Sequence, residues 1–285
     1  MILNKIFFYN LLILIRLNNP TGIFLLLWPT ITALFFASNA IPDFKLILIF
    51  TTGTFLMRSA GCIANDLADQ NIDEKVERTK NRPLVVKTVS NKTAFITLIF
   101  FLAFSLFLVL QLNLYSFYIS LFALFSAILY PFSKRFFIIP QLFLGIAFSS
   151  GILMAFTATQ NNIPIEGWLL FLANVSWVLA YDSHYALVDL EDDKRLTIYS
   201  AAKTFGKFTP FFIIFNIVLM YFIFFFMGVE NLYSYNFYIL IMISILISFA
   251  GVILGQKSIS GNFKAFKINN FVGFFVFLAF LTQIV

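Results

Sequence analysis

The chain has 285 residues, of which 61% are hydrophobic and only 11% are charged, and its formal net charge is +6. Soluble domains carry about 25% charged residues. With a mean hydropathy of +0.93, the composition therefore excludes an ordinary soluble protein and predicts an integral membrane protein. The single cysteine excludes an intramolecular disulfide. The basic residues are scattered between hydrophobic segments, which argues against a nucleic-acid partner and indicates a role in membrane topology.

Nine segments are long and apolar enough to cross a bilayer as helices of about 20 residues. In chain order they cover 21–41, 46–66, 93–112, 114–131, 139–158, 167–187, 208–229, 235–255 and 268–285. Residues 1–17 are short for a span and lack a small-residue cleavage site, so we expect an interfacial N-terminal helix. No Ser/Gly-rich linker divides the sequence. It therefore predicts a single all-α membrane domain over residues 1–285.

The basic residues also predict the orientation of the helices. With the N-terminus inside, all but two of the 19 Lys and Arg residues fall in the inner segments. Lys45 falls outside and Arg58 lies within a helix. The positive-inside rule therefore places the inner ends at the cytoplasmic side. The two long inner connections follow spans four helices apart, which predicts two related four-helix units plus a ninth helix.

All but three of the 13 acidic residues fall in two clusters, each at the inner end of a predicted span. The clusters include Asn65, Asp66, Asp69 and Asp73 after the second span, and Asp182, Asp189, Asp192 and Asp193 at the sixth. On a continuous helix, most members of each cluster would lie along one face. Carboxylates are costly near lipid unless they have a function. Stripes of oxygen ligands suit Mg²⁺, which usually binds few protein carboxylates together with substrate phosphates.

Basic residues accompany both clusters. They are Arg78, Lys80 and Arg82 after the first cluster, and Lys134 and Arg135 in the neighbouring inner loop. A bare cation pore would not be expected to have five positive charges beside its ligands. A metal-bridged diphosphate would, because Arg and Lys bind the remaining phosphate oxygens. The alternative is that these bases only determine topology.

The residues around the clusters form two motifs. They read Asn65-Asp66-x-x-Asp69-x-x-x-Asp73 followed by Arg78-Thr79-x-Asn81-Arg82-Pro83-Leu84, and Tyr181-Asp182-x-x-Tyr185-Ala186-x-x-Asp189-x-x-Asp192-Asp193. This pair resembles the two motifs of the UbiA superfamily of intramembrane prenyltransferases. Three further stretches, 25–30, 55–62 and 130–135, resemble the branch that prenylates 4-hydroxybenzoate in ubiquinone biosynthesis. The likeness covers about residues 16 to 210.

The resemblance implies a nine-helix bundle around a central cavity, with the active site on the cytoplasmic side of a bacterial or mitochondrial inner membrane. Its expected substrates are a polyprenyl diphosphate, dissolved in membrane lipid, and 4-hydroxybenzoate. Two Mg²⁺ ions would bridge the diphosphate, one held by Asn65, Asp69 and Asp73 and the other by Asp189 and Asp193. Substrate-binding residues would be Arg78, Arg82, Tyr130, Lys134 and Arg135. Asp66 and Asp192 would support the ligands, and Asp182 and Tyr185 would face the reacting carbon or the acceptor.

Arg58 is the residue that indicates the acceptor. It lies seven positions before Asn65, about 20° away on the same helix face but deeper in the membrane. An arginine at that depth needs a partner. We predict that it pairs with the carboxylate of 4-hydroxybenzoate. Snorkelling, or pairing with carbonyl groups of a neighbouring helix, is the alternative.

Other functions remain open from the sequence. A different member of the superfamily would use dihydroxynaphthoate, homogentisate or haem as acceptor. A Mg²⁺-coupled transporter would place its acidic residues near the bilayer midplane with broken helices around them, whereas here they cluster at one end beside bases. A non-catalytic membrane scaffold would have no use for two carboxylate clusters.

Overall fold

The computed structural model describes the backbone of residues 2–195 and 198–284, and the side chains from residue 7 onward within those ranges. Its α-helices are α1 (Ile2–Leu14), α2 (Thr21–Ser38), α3 (Phe44–Ala68), α4 (Gln70–Asp73), α5 (Asn91–Val109), α6 (Leu114–Ser133), α7 (Gln141–Gln160), α8 (Ile165–Val188), α9 (Leu190–Arg195), α10 (Ala201–Phe205), α11 (Thr209–Glu230), α12 (Tyr235–Lys257) and α13 (Ile259–Leu281). One 3₁₀ turn, Gly206–Phe208, joins α10 to α11.

Among the described residues, eight helical segments are long and apolar enough to span a membrane, which confirms the prediction of an all-α integral membrane protein. They are α2, α3, α5, α6, α7, α12, α13 and the segment from α10 through α11. The predicted span 167–187 corresponds to α8. This helix has 24 residues but is more polar, since it carries Asn174, Asp182 and His184, and it is not among the eight.

Side-chain and backbone caps determine where several helices begin and end. Asn113 precedes α6 and accepts a hydrogen bond from the backbone N–H of Ser116, and Ser90 caps α5 in the same way. The other ends of α2 and α7 are closed by Asn39 and Asn161, with φ of 47° and 52°. Asparagine tolerates this left-handed conformation better than most residues. These caps move the observed boundaries from the predicted ones by a few residues.

The start of the last helix was predicted wrongly. It begins at Ile259 rather than residue 268, because Ser258 caps it by accepting a hydrogen bond from the N–H of Gly261. A side chain at Gly261 would begin 1.9 Å from the carbonyl oxygen of Leu254, so only glycine permits this tight approach of α12 and α13. Lys264 and Lys267 suggested a loop, yet both lie in the first turns of α13.

Helix α8 lies at the centre of the bundle, where it packs against α7, α11 and α13. Its residues Trp177, Val178 and Tyr181 belong to the main hydrophobic core. A cavity of about 30 Å³ between α2, α7, α8, α11 and α13 is lined by Pro29, Trp177 and other core residues. This cavity lies within the apolar core, away from the acidic end of α8.

Helix α1 packs on α3 and on the connection that follows it. Leu14 and Ile15 are buried in a separate small core with Ile63, Leu84 and Val89. The amino-terminal helix is thereby held beside the first acidic cluster. The contacts are consistent with a helix along the membrane surface, but its interfacial position stays a prediction.

Candidate active site

Both acidic clusters lie at helix ends and not along continuous helices. Between α3 and α4, Asp69 leaves the helical conformation, with φ −103° and ψ 11°. Between α8 and α9, Asp189 does the same, with φ −94° and ψ 3°. The backbone N–H of Asp73 donates to the carbonyl of Asp69, and the N–H of Asp193 donates to that of Asp189, both at 2.8 Å. The predicted uninterrupted stripes are therefore wrong, and the shared break supports two related units.

A bidentate ion pair joins the two clusters. Arg78 donates from Nε to Oδ1 of Asp189 at 2.8 Å and from Nη2 to Oδ2 at 2.6 Å. Nearby, the backbone N–H of Glu77 donates to Asp192 at 3.4 Å. Burial acts to lower the pKa of Arg78, but the hydrogen bond to Asp189 and the negative charges of Asp189 and Asp73 together outweigh it, so the pKa is raised. The structure thus brings both motifs to one end of the bundle.

A second ion network lies behind the first cluster. Asp66 is only 1% exposed, and both its carboxylate oxygens accept from Nη2 of Arg16, at 2.7 and 2.9 Å. Nη1 of Arg82 lies 2.9 Å from Asp66 and 2.5 Å from Asp73. Burial raises the pKa of Asp73, while the Arg82 cation opposes that rise. Asp66 therefore pairs with both Arg16 and Arg82, and its supporting role stays a prediction.

The two bases of the neighbouring loop differ in placement. Nζ of Lys134 lies 3.4 Å from Oδ2 of Asp69 and 5.2 Å from the centre of the Tyr130 ring. Arg135 is exposed, its guanidinium lies 5.8 Å from the Phe132 ring, and it has no ion pair with a described residue. Lys134 and Tyr130 thus join the site, but Arg135 does not, contrary to expectation.

Asp193 lies at the edge of this group. It is buried, and burial raises its pKa to about 6, although a hydrogen bond from Ser200 acts in the opposite direction. The backbone carbonyl of Asp193 also accepts from Nζ of Lys203 at 3.3 Å. The loop after α9 is therefore packed against the second cluster.

Deeper along α8 lie Tyr185, one turn before Asp189, and Asp182, two turns before it. The Tyr185 ring is covered by the Arg78 guanidinium, 4.6 Å from its centre, and packs on Phe266 with ring centres 4.8 Å apart. Asp182 is partly buried and accepts no hydrogen bond from a described residue. Its charge interacts with those of Lys134 and Arg58. Both predicted residues therefore lie beneath the charged layer.

Arg58 lies ten residues before the end of α3, about 15 Å along the helix axis. Its Nη1 donates to Sγ of Cys62 at 2.9 Å, and the guanidinium lies 5.5 Å from the Phe148 ring. Nε is buried without a hydrogen-bond partner among the described residues. No carboxylate in the described part of the chain forms an ion pair with this cation. A partly buried arginine with an unpaired charge among the described residues is suited to an anionic ligand.

The donor set at the acidic end suits Mg²⁺. Its oxygens come from carboxylates and from Asn65, whose buried Oδ1 has no partner among the described residues. Within residues 7–195 and 198–284, no three acidic, His or Cys side chains form a ready-made metal cage. Asp69 and Asp189 are instead paired with bases. This arrangement fits an ion that takes few protein ligands and shares phosphate oxygens.

Several residues at the site were not identified from the sequence. Arg16 was read only as a topology signal, and Cys62, Gly22, Phe148 and Phe266 were not singled out. Arg16 is 50 positions from its partner, so no spacing rule connects them. Cys62 carried a detectable signal, because it lies one helical turn after Arg58.

Comparison with known proteins places these features in context. The UbiA prenyltransferase family matches residues 26–279. A 4-hydroxybenzoate octaprenyltransferase from Francisella tularensis subsp. novicida is 42% identical over 272 residues, 95% of each chain. Another, from Neisseria meningitidis serogroup C, is 52% identical over 195 residues, 68% of this chain and 66% of the relative. The aligned part thus spans about two thirds of the Neisseria protein. The family match confirms the resemblance seen in the motifs.

Two solved structures share the fold. An apo UbiA homologue from Aeropyrum pernix K1 superposes with a TM-score of 0.80 at 23% identity, covering 93% of this chain and 98% of that one. A UbiA homologue from Archaeoglobus fulgidus, bound to GPP and Mg²⁺, has a TM-score of 0.60 at 17% identity, covering 90% and 99%.

Proposed function

Because the chain belongs to the UbiA prenyltransferase family, we propose that it prenylates 4-hydroxybenzoate in ubiquinone biosynthesis. The polyprenyl group of a polyprenyl diphosphate moves to the ring carbon ortho to the hydroxyl group, and diphosphate is released. The observation that carries the proposal is the Arg78–Asp189 pair, which brings two acidic motifs and their bases together above Asp182 and Tyr185. The 42% identity to a 4-hydroxybenzoate octaprenyltransferase over 95% of both chains supports this choice of acceptor.

The charged end of the bundle binds the diphosphate. Asn65, Asp69 and Asp73 would hold one Mg²⁺, and Asp189 and Asp193 the other. Bound Mg²⁺ supplies positive charge that stabilises the departing diphosphate. The unpartnered Oδ1 of Asn65 supports this assignment. Mg²⁺ and a prenyl diphosphate are also bound together by the Archaeoglobus homologue.

Three bases complete the diphosphate site. Arg78, Arg82 and Lys134 each lie against a motif carboxylate and can donate to diphosphate oxygens. Asp66 and Asp192 support them from behind. Arg135 is exposed and contacts Phe132 instead of a motif carboxylate, so we do not assign it to the diphosphate site.

The allylic carbon reacts beneath this layer. When its C–O bond breaks, the electron pair leaves with diphosphate and the carbon becomes cationic. Tyr185 would stabilise this cation through its aromatic ring, and its contact with the Arg78 guanidinium supports that role. The ring carbon of the phenol then forms the new C–C bond, and Asp182 takes the displaced ring proton. A site within the bundle limits water that would quench the cation.

Arg58 orients the acceptor. Its Nε is buried without a hydrogen-bond partner among the described residues. A 4-hydroxybenzoate whose carboxylate pairs with Arg58 would direct its phenol end towards the acidic layer. The carboxylate satisfies a cation that is otherwise costly in the membrane.

Helix α8 adds a ninth membrane span to the eight apolar segments described above. Its 24 residues extend about 36 Å, more than the roughly 30 Å hydrocarbon core. Four residues separate it from the end of α7, where Gln160 donates to the carbonyl of Ala37. It ends at the opposite end of the bundle, where Asp189 meets Arg78. Nine spans then form two four-helix units plus α13, in one domain over residues 1–285 with α1 at the membrane surface.

The protein would lie in a bacterial or mitochondrial inner membrane, with the active site towards the cytoplasm or matrix. The basic residues at the acidic end of the bundle support that orientation. The polyprenyl chain would enter from membrane lipid, and no role for nucleic acid follows from these features.

A transfer assay tests the proposal. Detergent-solubilised protein is given a polyprenyl diphosphate with 4-hydroxybenzoate or with dihydroxynaphthoate, in Mg²⁺ or in chelator. We expect a Mg²⁺-dependent prenylated benzoate and no naphthoate product. Product from dihydroxynaphthoate alone would contradict the acceptor, and no product from either acid would contradict the reaction.

A further inference from the structure

The guanidinium of Arg58 is held by residues from three helices. Cys62 accepts from Nη1 one turn further along α3, and Phe148 of α7 covers the group at 5.5 Å. Gly22 of α2 lies next to the Nε and Nη2 atoms of the same guanidinium. A Cβ atom at Gly22 would lie 2.6 Å from Nε, 2.6 Å from Nη2 and 3.0 Å from Cζ.

These three distances locate Gly22 relative to the guanidinium plane. A point equally close to Nε and Nη2, and farther from Cζ, lies beyond the edge that those two nitrogens form. A point above the plane of the guanidinium would be closer to Cζ than to the nitrogens. The backbone of Gly22 therefore covers the Nε–Nη2 edge, which explains why Nε is buried without a partner. Any side chain at position 22 would displace the guanidinium.

Two N–H groups of the Arg58 guanidinium remain for a ligand. A guanidinium has five N–H groups. One of the Nη1 pair is directed at Cys62, and Nε and one Nη2 hydrogen face Gly22. One hydrogen on each Nη atom is left. A carboxylate accepts two parallel hydrogen bonds from one guanidinium edge, and the two remaining hydrogens form such an edge when Cys62 takes the Nη1 hydrogen on the Cδ side.

We propose that Cys62 and Gly22 are positioning residues that fix Arg58 so that only its Nη1–Nη2 edge is offered to the acceptor carboxylate. This inference rests on the proposed function, because it concerns the same acceptor. It assigns a role in acceptor specificity to two residues outside the diphosphate site. Cys62 provides the hydrogen-bond acceptor, and Gly22 provides the space.

Affinity for 4-hydroxybenzoate tests the Cys62 contact. Its Kd is measured by calorimetry without prenyl donor, and KM for each substrate and kcat are measured in the transfer assay. We expect Cys62→Ala to raise Kd and KM for 4-hydroxybenzoate about tenfold and to leave KM for the diphosphate unchanged. Cys62→Ser retains an acceptor and restores most of the affinity. Ser105→Ala, a buried hydroxyl on α5 without a described partner, is the matched control.

The Gly22 contact has its own matched pair. Gly22→Ala places a methyl group against Arg58 and should raise Kd for 4-hydroxybenzoate about 100-fold. Gly53→Ala adds the same methyl group to α3 where nothing lies within 4 Å, so affinity should be unchanged. Since alanine favours a helix over glycine, both variants are expected to fold.

The Arg58→Gln background separates positioning from general packing. If Cys62 acts through Arg58, Cys62→Ala adds no further loss there. Phenol lacks the carboxylate, so its binding should not respond to Cys62→Ala. Equal losses for phenol and 4-hydroxybenzoate would overturn the inference, as would unchanged affinity in both Cys62→Ala and Gly22→Ala.

The outcomes also distinguish this inference from the proposed function. Transfer to 4-hydroxybenzoate with normal affinity in both variants contradicts the inference alone. Binding of 4-hydroxybenzoate by the wild type without transfer, and weakened in the variants, contradicts the reaction alone. Absence of binding and transfer in the wild type contradicts both.

Discussion

Arg78 and Asp189 form two parallel hydrogen bonds of 2.8 and 2.6 Å across 111 positions of the chain. This pair connects the loop after the first acidic motif to the break in the second. Its geometry uses the planar guanidinium fork, which lysine cannot reproduce. The same arginine covers the ring of Tyr185. One side chain therefore links both motifs to the reaction layer.

Replacement of Arg78 should reduce activity strongly. Arg78→Gln loses the charge and the fork, and we expect kcat/KM to fall about 100-fold, since hydrogen bonds to charged groups contribute about 1.5–3 kcal/mol. Arg78→Lys keeps the charge and should recover only part of the loss. Lys194→Gln, which removes an exposed base paired with Glu191, is the control. Equal activities of Arg78→Gln and Lys194→Gln would contradict the role given to Arg78.

The adjacent bases of the α6–α7 connection give a second comparison. Lys134→Gln removes the charge beside Asp69 and should raise KM for the polyprenyl diphosphate about tenfold. Arg135→Gln alters an exposed residue and should change it at most about twofold. Steady-state kinetics with varied diphosphate measures both. If Arg135→Gln raised this KM more than Lys134→Gln did, Arg135 would bind the diphosphate, as the sequence predicts, and its exposed position in the structure would be wrong.

Tyr185 should act through its aromatic face. Tyr185→Phe keeps the ring that faces Arg78 and Phe266 and should retain most of kcat. Tyr185→Ala removes the ring and should lower kcat about tenfold or more, because cation–π contacts contribute about 0.5–2 kcal/mol. Single-turnover rates test this directly. A phenylalanine variant as slow as the alanine variant would indicate that the hydroxyl group is what matters.

Asp193 makes stability depend on pH. Burial raises its pKa from the ordinary value of 3.8 to about 6 in the folded protein. The folded state then binds more protons than the unfolded state between these values, so the free energy of unfolding falls as pH rises through that interval. In chelator at pH 8, Asp193→Asn should be more stable than wild type by about 1–2 kcal/mol, after allowance for solvent screening.

The control for this effect is the same comparison at pH 4, where the wild-type carboxyl group is largely protonated in the folded protein. There the two proteins should unfold alike. A stability difference that does not change between pH 4 and pH 8 would show that the side chain acts by packing and not by charge.

The location of the site was largely predictable from the sequence, because both motifs follow apolar segments and the bases fix their side. The breaks at Asp69 and Asp189 were not, since a helical periodicity continues unchanged through a single non-helical residue. Arg135 follows Lys134 directly in the turn after α6, yet it is exposed whereas Lys134 reaches Asp69. Such a difference depends on where α6 ends, at Ser133.

Long-range pairing was the hardest feature to predict. Arg16 meets Asp66 only because α1 folds back onto α3. Likewise, the Gly22 contact with Arg58 depends on how closely α2 approaches α3. Neither contact can be inferred from residue spacing or composition, so both are visible only in the structure.

The breaks at Asp69 and Asp189 have a consequence for the electric field of the site. Because α3 and α8 both stop there, the negative ends of two helix dipoles are directed at the same place. Each end is equivalent to roughly half an elementary charge. The peptide backbone thus favours cations at this end of the bundle in addition to the carboxylates. Neutralising one carboxylate would remove one negative charge and leave the contribution of the two helix ends in place.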